Sequence, residues 1–135
     1  MQMCGIFLCC YPVGFQNSGS IYWLVLCLLG AVLGVLTLCF NKIGNFSVYP
    51  EIKHQARLIT IGPYKYIRHP MYTSLIIMMC GIALYNYHGL NAVGVLLVVV
   101  AVINKANMEE KLLLMRFPGY ANYQKISHRF LPYLY

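Results

Sequence analysis

Apolar positions collect in four stretches of the chain, and polar positions gather between and after them. Ile21 to Phe40 reads IYWLVLCLLGAVLGVLTLCF, without one charged side chain. As a helix rising 1.5 Å per residue, this run reaches about 30 Å, the thickness of a hydrocarbon core. Gly30 and Gly34 within it form a GxxxG, a spacing that permits close packing of a neighbouring helix. Met71 to Tyr85 and Leu90 to Ile103 are two further apolar runs, parted by Asn86-Tyr87-His88-Gly89. Each is short alone and reaches spanning length with its flanking residues. Residues 1–15 are apolar but brief, with Pro12 and Gly14 near their end and no positive n-region of a signal peptide. They are expected to form a short or tilted membrane segment, or alternatively an interfacial arm.

Between the apolar runs, Asn41 to Arg68 is polar, basic and broken by Pro50 and Gly62-Pro63. That pattern predicts a loop with room for a short surface helix. After Ile103 the fourth helix is expected to continue through KANMEEKLLLMRF and stop at Pro118-Gly119, since proline disrupts a helix interior. Tyr120 to Ser127 predicts a last short helix, and the basic, aromatic tail HRFLPYLY suits a membrane interface. The expected fold is all-α: a polytopic transmembrane helical bundle of three to four spans, with a C-terminal helical hairpin and a cytoplasmic C-terminal helix. The whole of 1–135 reads as one membrane domain, with N-terminal membrane helices in residues 1–40.

Composition strengthens the membrane reading. The chain is 60% hydrophobic and 10% charged, against about 25% charged in soluble domains. Its net charge of +7 raises the question of nucleic acid, but placement answers it. The ten Lys and Arg fall in two blocks, Lys42 to Arg68 and Lys105 to Arg129, each just after an apolar run. The turn between the third and fourth runs carries none. Such one-sided charge marks cytoplasmic flanks and a hairpin that returns to its starting side. A nucleic-acid surface would interleave its charges with polar and aromatic residues, so no nucleic-acid partner is expected. The six cysteines show neither zinc spacing nor a redox CxxC, and the four histidines show no metal spacing. No metal site is expected.

Candidate chemistry concentrates in GPYKYIRHPMY, residues 62–72, where the basic loop meets the third apolar run. Pro70 fits the first position of that helix, where its missing N–H costs nothing. A helix start at the membrane face attracts anionic groups, and Lys65, Arg68 and His69 add donors beside it. Across the hairpin lie Glu109 and Glu110, two of only three acids in the chain. Lengths measured from the turn bring both clusters to the same interface. Two bland roles compete with a site: an ion pair of Glu109 with Lys105 four residues earlier, and simple solvent exposure for Glu110. Neighbouring glutamates on a helix also point about 100° apart.

GPYKYIRHPMY, an apolar hairpin and EEKLLLMRFPGYANYQK, in that order, resemble the isoprenylcysteine carboxyl methyltransferase family and its phospholipid methyltransferase relatives. The resemblance covers about 57–132. It rests on Arg68, His69, Pro70, Tyr72, Glu109, Glu110, Phe117, Tyr120 and Tyr123. It implies an integral membrane enzyme using S-adenosylmethionine on a lipophilic or lipid-bearing acceptor that enters from the bilayer. Lys65, Tyr66, His69, Pro70, Tyr72, Glu109 and Glu110 would line the cofactor site, and Arg68 or Arg129 would hold a carboxylate acceptor. One departure stands out: relatives often carry glycine two positions after the motif tyrosine, where this chain has Ser74. Phospholipid N-methylation is the alternative within the family. Outside it, a membrane sterol or enone reductase using NADPH is disfavoured by Met71 and Ser74, which replace its usual Asn and acid. A non-catalytic membrane adaptor would leave His69, Tyr72 and Glu109 unexplained.

Overall fold

A computed structural model describes residues 2–10, 20–41, 58–86 and 88–132. Among them are five α-helices and no strand: α1 (Gln2–Cys9), α2 (Ile21–Phe40), α3 (Pro70–Asn86), α4 (Gly89–Arg116) and α5 (Tyr120–Ile126). A 3-10 turn, Gly62–Lys65, leads into α3. Residues 42–57, with the expected surface helix, lie outside the described residues, as do 11–15 of the N-terminal segment and 133–135 of the tail.

Two helices, α2 and α4, are long and apolar enough to cross a membrane, and α3 is a shorter apolar helix. The exterior of α2 supports a lipid setting. Tyr22, Leu28, Leu29, Val32, Val35 and Leu38 are all at least half exposed. A contiguous apolar stripe of this kind would be costly in water and belongs in lipid. α1 has eight residues, about 12 Å of helix, too little to cross alone.

Glycines set how the helices meet. A Cβ on Gly30 would stand 3.0 Å from the Ser74 carbonyl oxygen, and one on Gly34 2.7 Å from the Ser74 hydroxyl. The GxxxG of α2 therefore seats α3, in antiparallel register, and Gly81 receives α2 at Cys27 in the same way. Gly5 of α1 and Gly94 of α4 repeat the device, again antiparallel. Close backbone approach replaces the hydrophobic drive that lipid removes. Asn86 donates its side-chain amide to the Cys9 carbonyl at the end of α1, 3.1 Å away.

Where α3 and α4 face one another, Tyr72, Met79, Val98, Val102 and Ala106 form a buried core with Cys9 and Phe130. Leu90 to Ile103 supplies the apolar part of α4, and the helix then carries Glu109 and Glu110 beyond it before ending at Phe117. On the other side, Gly62 holds a φ of 62°, a conformation that glycine adopts without penalty. A Cβ there would lie 2.7 Å from the Phe40 ring. The end of α2 thus presses directly on the turn that carries the motif.

Candidate functional site

The site begins with Pro70 as the first residue of α3, fully buried. The carbonyl of His69 accepts from the backbone N–H groups of Tyr72 and Thr73, at 3.1 Å each. The expected open anion site at this helix start is therefore partly closed by the chain itself. The tail closes it further: Arg68 N–H donates to the His128 carbonyl at 2.7 Å and His69 N–H to the Arg129 carbonyl at 3.1 Å. Ile67 and His128 form a parallel bridge, and the Thr73 hydroxyl donates to the Phe130 carbonyl at 2.6 Å. Residues 127–130 belong to the site although they lie some sixty positions beyond its start.

Glu110 is the centre of the charge network. Its Oε1 accepts from Arg68 Nε at 2.9 Å, lies 3.1 Å from His69 Nε2 and 3.6 Å from Arg129 Nε. Gln124 of α5 donates to Oε2 at 3.3 Å. The competing reading of simple solvent exposure fails: Glu110 keeps only 14% of its side-chain surface. Burial alone would raise its pKa, but the hydrogen bonds and charges of His69 and Arg68 outweigh that and hold it at about 2.

Glu109 faces the same motif from a different angle. It accepts from the Tyr72 hydroxyl, and its other oxygen lies 3.8 Å from His69 Nδ1. No ion pair with Lys105 forms; that ammonium sits 5.7 Å from the centre of the Tyr72 ring. The 100° between adjacent glutamates is absorbed by His69, whose two nitrogens face one carboxylate each. Tyr72 stacks on that imidazole at 5.4 Å and Phe130 tilts against it at 5.8 Å. His69 is 7% exposed and Tyr72 4%.

Five of the seven candidate cofactor residues thus come together: His69, Pro70, Tyr72, Glu109 and Glu110. Lys65 and Tyr66 lie on the preceding turn, both exposed, with the ammonium 5.7 Å from the Tyr66 ring. Arg68 and Arg129 are both drawn to Glu110. Arg68 also donates to the carbonyls of Gln124 and Ser127, and Arg129 donates to Asn107. Gln124, Ser127 and Phe130 carried no motif of their own, and only their position after the tyrosine pattern connects them to it; Asn107 had only its place two residues before Glu109. Ser74 is buried against Gly34 rather than beside the glutamates. Its small size serves helix packing.

Tyr120 adds a different kind of feature. It is 1% exposed, and its hydroxyl has no hydrogen-bond partner among the described residues. Burial pushes this phenol above its ordinary pKa, with the Glu110 charge adding to the effect. A buried donor without a partner beside two carboxylates fits a polar ligand. No cluster of metal-ligating side chains occurs among the described residues.

No curated protein matches the chain in sequence. A family model, that of phospholipid methyltransferase, matches residues 20–119, from the start of α2 past the end of α4. That span includes the RHPxY motif, the hairpin and both glutamates. The chain belongs to the phospholipid methyltransferase family and is a membrane methyltransferase.

Proposed function

We propose that the protein methylates a lipophilic acceptor at the cytoplasmic membrane face, using S-adenosylmethionine in the manner of isoprenylcysteine carboxyl O-methyltransferases. The observation that carries this reading is the meeting of His69 and Tyr72 with both glutamates just beyond the apolar stretch of α4. In this arrangement α2, α3 and α4 are three spans, and the basic flanks of α3 and α4 mark the cytoplasmic side.

The donor set suits the cofactor. Glu109, at 28% exposure, keeps oxygen lone pairs free for an ammonium or ribose hydroxyl. The Tyr120 hydroxyl offers a donor already desolvated. The cofactor, when bound, supplies an activated methyl group. The protein's own task is then to align the acceptor and exclude water, because a sulfonium needs little covalent assistance. Arg68 and Arg129 hold Glu110 in place and so act as positioning residues.

Phospholipid N-methylation is the second reading, favoured by the family match. The two differ in a proton. A carboxylate attacks as it stands, whereas an ammonium must first lose a proton, leaving rate dependent on pH up to the amine's own range. Methyl transfer measured across pH with both acceptor types separates them.

Calorimetric titration of the detergent-solubilised protein is expected to show S-adenosylmethionine binding and no NADPH binding. Glu109→Gln and His69→Ala should each weaken that binding about tenfold or more, with expression retained. Binding of NADPH alone, or of neither, would sink the reading. Unchanged affinity in both variants would remove the site from this cluster.

A further inference from the structure

Lys105 stands apart from the network around Glu110. It lies four residues before Glu109 on α4 and so on the same helix face. Glu109 has turned to Tyr72 and His69 instead. Among the described residues, no carboxylate lies within ion-pairing distance of Lys105. Its ammonium rests over the ring of Tyr72, 5.7 Å from the centroid.

Its depth is informative. Lys105 follows the apolar stretch that ends at Ile103 and lies about 24 Å along α4, short of the roughly 30 Å of a hydrocarbon core. Glu110 lies about 7 Å further out. Lys105 is thus the most membrane-ward cation of α4, and it is only partly exposed. A cation at that level is costly without an anion, and an aromatic face replaces only part of its hydration. Nor does charge inside the site balance: Arg68, Arg129 and Lys105 surround two carboxylates that are already engaged. A snorkelling lysine keeps its charged head in water. This one leans over a residue whose hydroxyl is bonded to Glu109.

We propose that Lys105 is the anion-binding subsite for the acceptor's headgroup, taking the phosphate or carboxylate of a lipid that arrives from the bilayer. The proposal rests on the methyltransferase reading for what the bound lipid is there to do. Both ligands offer the same chemistry, oxygen anions that accept from an ammonium. A phospholipid supplies a phosphate diester and a prenylated cysteine a carboxylate.

The test uses the full chain in maltoside detergent, titrated calorimetrically with dihexanoyl phosphatidylethanolamine, N-acetyl-S-farnesylcysteine and, separately, S-adenosylmethionine. At least one lipid should bind. Lys105→Met should weaken that binding about tenfold, and Lys105→Arg should retain most of it by keeping the charge. Cofactor affinity should be unchanged in both variants. The lipid that loses most identifies the anion. Equal lipid binding by Lys105→Met and the unmodified chain overturns the proposal, as does failure of both lipids to bind the unmodified chain. If S-adenosylmethionine fails to bind while lipid binding still depends on Lys105, the subsite stands and the cofactor reading falls.

Discussion

Glu110→Ala should be the most damaging single change at the charged end of the bundle. Its carboxylate answers Arg68, His69, Arg129 and Gln124 at once. Removing it leaves two guanidinium groups and an imidazole crowded together at low exposure. Breaking a buried pair by removing one partner costs about 3–5 kcal/mol; the 14% exposure of Glu110 places this case toward the lower value. Thermal unfolding in detergent should register that loss as a lowered midpoint, accompanied by loss of cofactor binding. Glu110→Gln keeps the shape and the Gln124 contact but not the charge, and should fall between.

The pH dependence follows from the same residue. Its folded pKa, about 2, lies below the ordinary 4.5, so its charge stabilises the fold fully above about 4.5. That contribution fades as pH falls toward 2. The stability gap between the unmodified chain and Glu110→Gln should therefore be constant from neutral pH to about 4.5 and shrink below it. A gap that persisted unchanged in acid would mean the carboxylate works by packing rather than by charge. A double-mutant cycle with Arg68→Met should return a coupling on the order of 1–3 kcal/mol.

Gly81→Leu should be comparably severe, for a reason remote from the site. A Cβ at Gly81 would stand 2.8 Å from the Cys27 backbone nitrogen and 3.0 Å from the Trp23 carbonyl oxygen. Those are backbone atoms of α2 and cannot rotate away, so the two helices must part. Overpacking costs about 1–3 kcal/mol where side chains can adjust; here the whole of α2 has to move, and the upper figure is the better guide. Because Phe40 at the end of α2 presses on Gly62, the displacement should reach the motif. Cofactor affinity should therefore drop together with the thermal midpoint. Gly119→Ala is the control: nothing lies within 4 Å of a Cβ there, and the change should stay within about 0.5 kcal/mol. If Gly81→Leu matched it, the α2–α3 seam would not be as tight as described.

Much of this was legible in the chain because membrane helices announce themselves by length and polarity. Ile21 to Phe40 and the long helix through Glu110 came straight from apolar runs and the Pro118-Gly119 stop. Pro70 marked the start of α3 by its chemistry. Pairwise geometry was not legible. The i to i+4 rule pointed Glu109 at Lys105, whereas a tertiary partner, the Tyr72 hydroxyl, took the carboxylate. Nor could periodicity show that residues 128–130 return to hydrogen-bond residues 68–73, since a backbone bridge leaves no residue pattern. Arg68 illustrates the limit well. Its charge suggested a substrate partner, but the nearest carboxylate and two carbonyls of its own chain engage it first.

That returning tail also imposes an order on biosynthesis. Arg68 and His69 emerge from the ribosome long before the carbonyls of His128 and Arg129 that their N–H groups will occupy. Until those carbonyls arrive, the two N–H groups must find other partners, such as water. Only when α5 has emerged can Gln124 and Ser127 clasp the Arg68 guanidinium. A chain arrested before Ser127 would carry its membrane helices intact, yet it would present an unlatched motif.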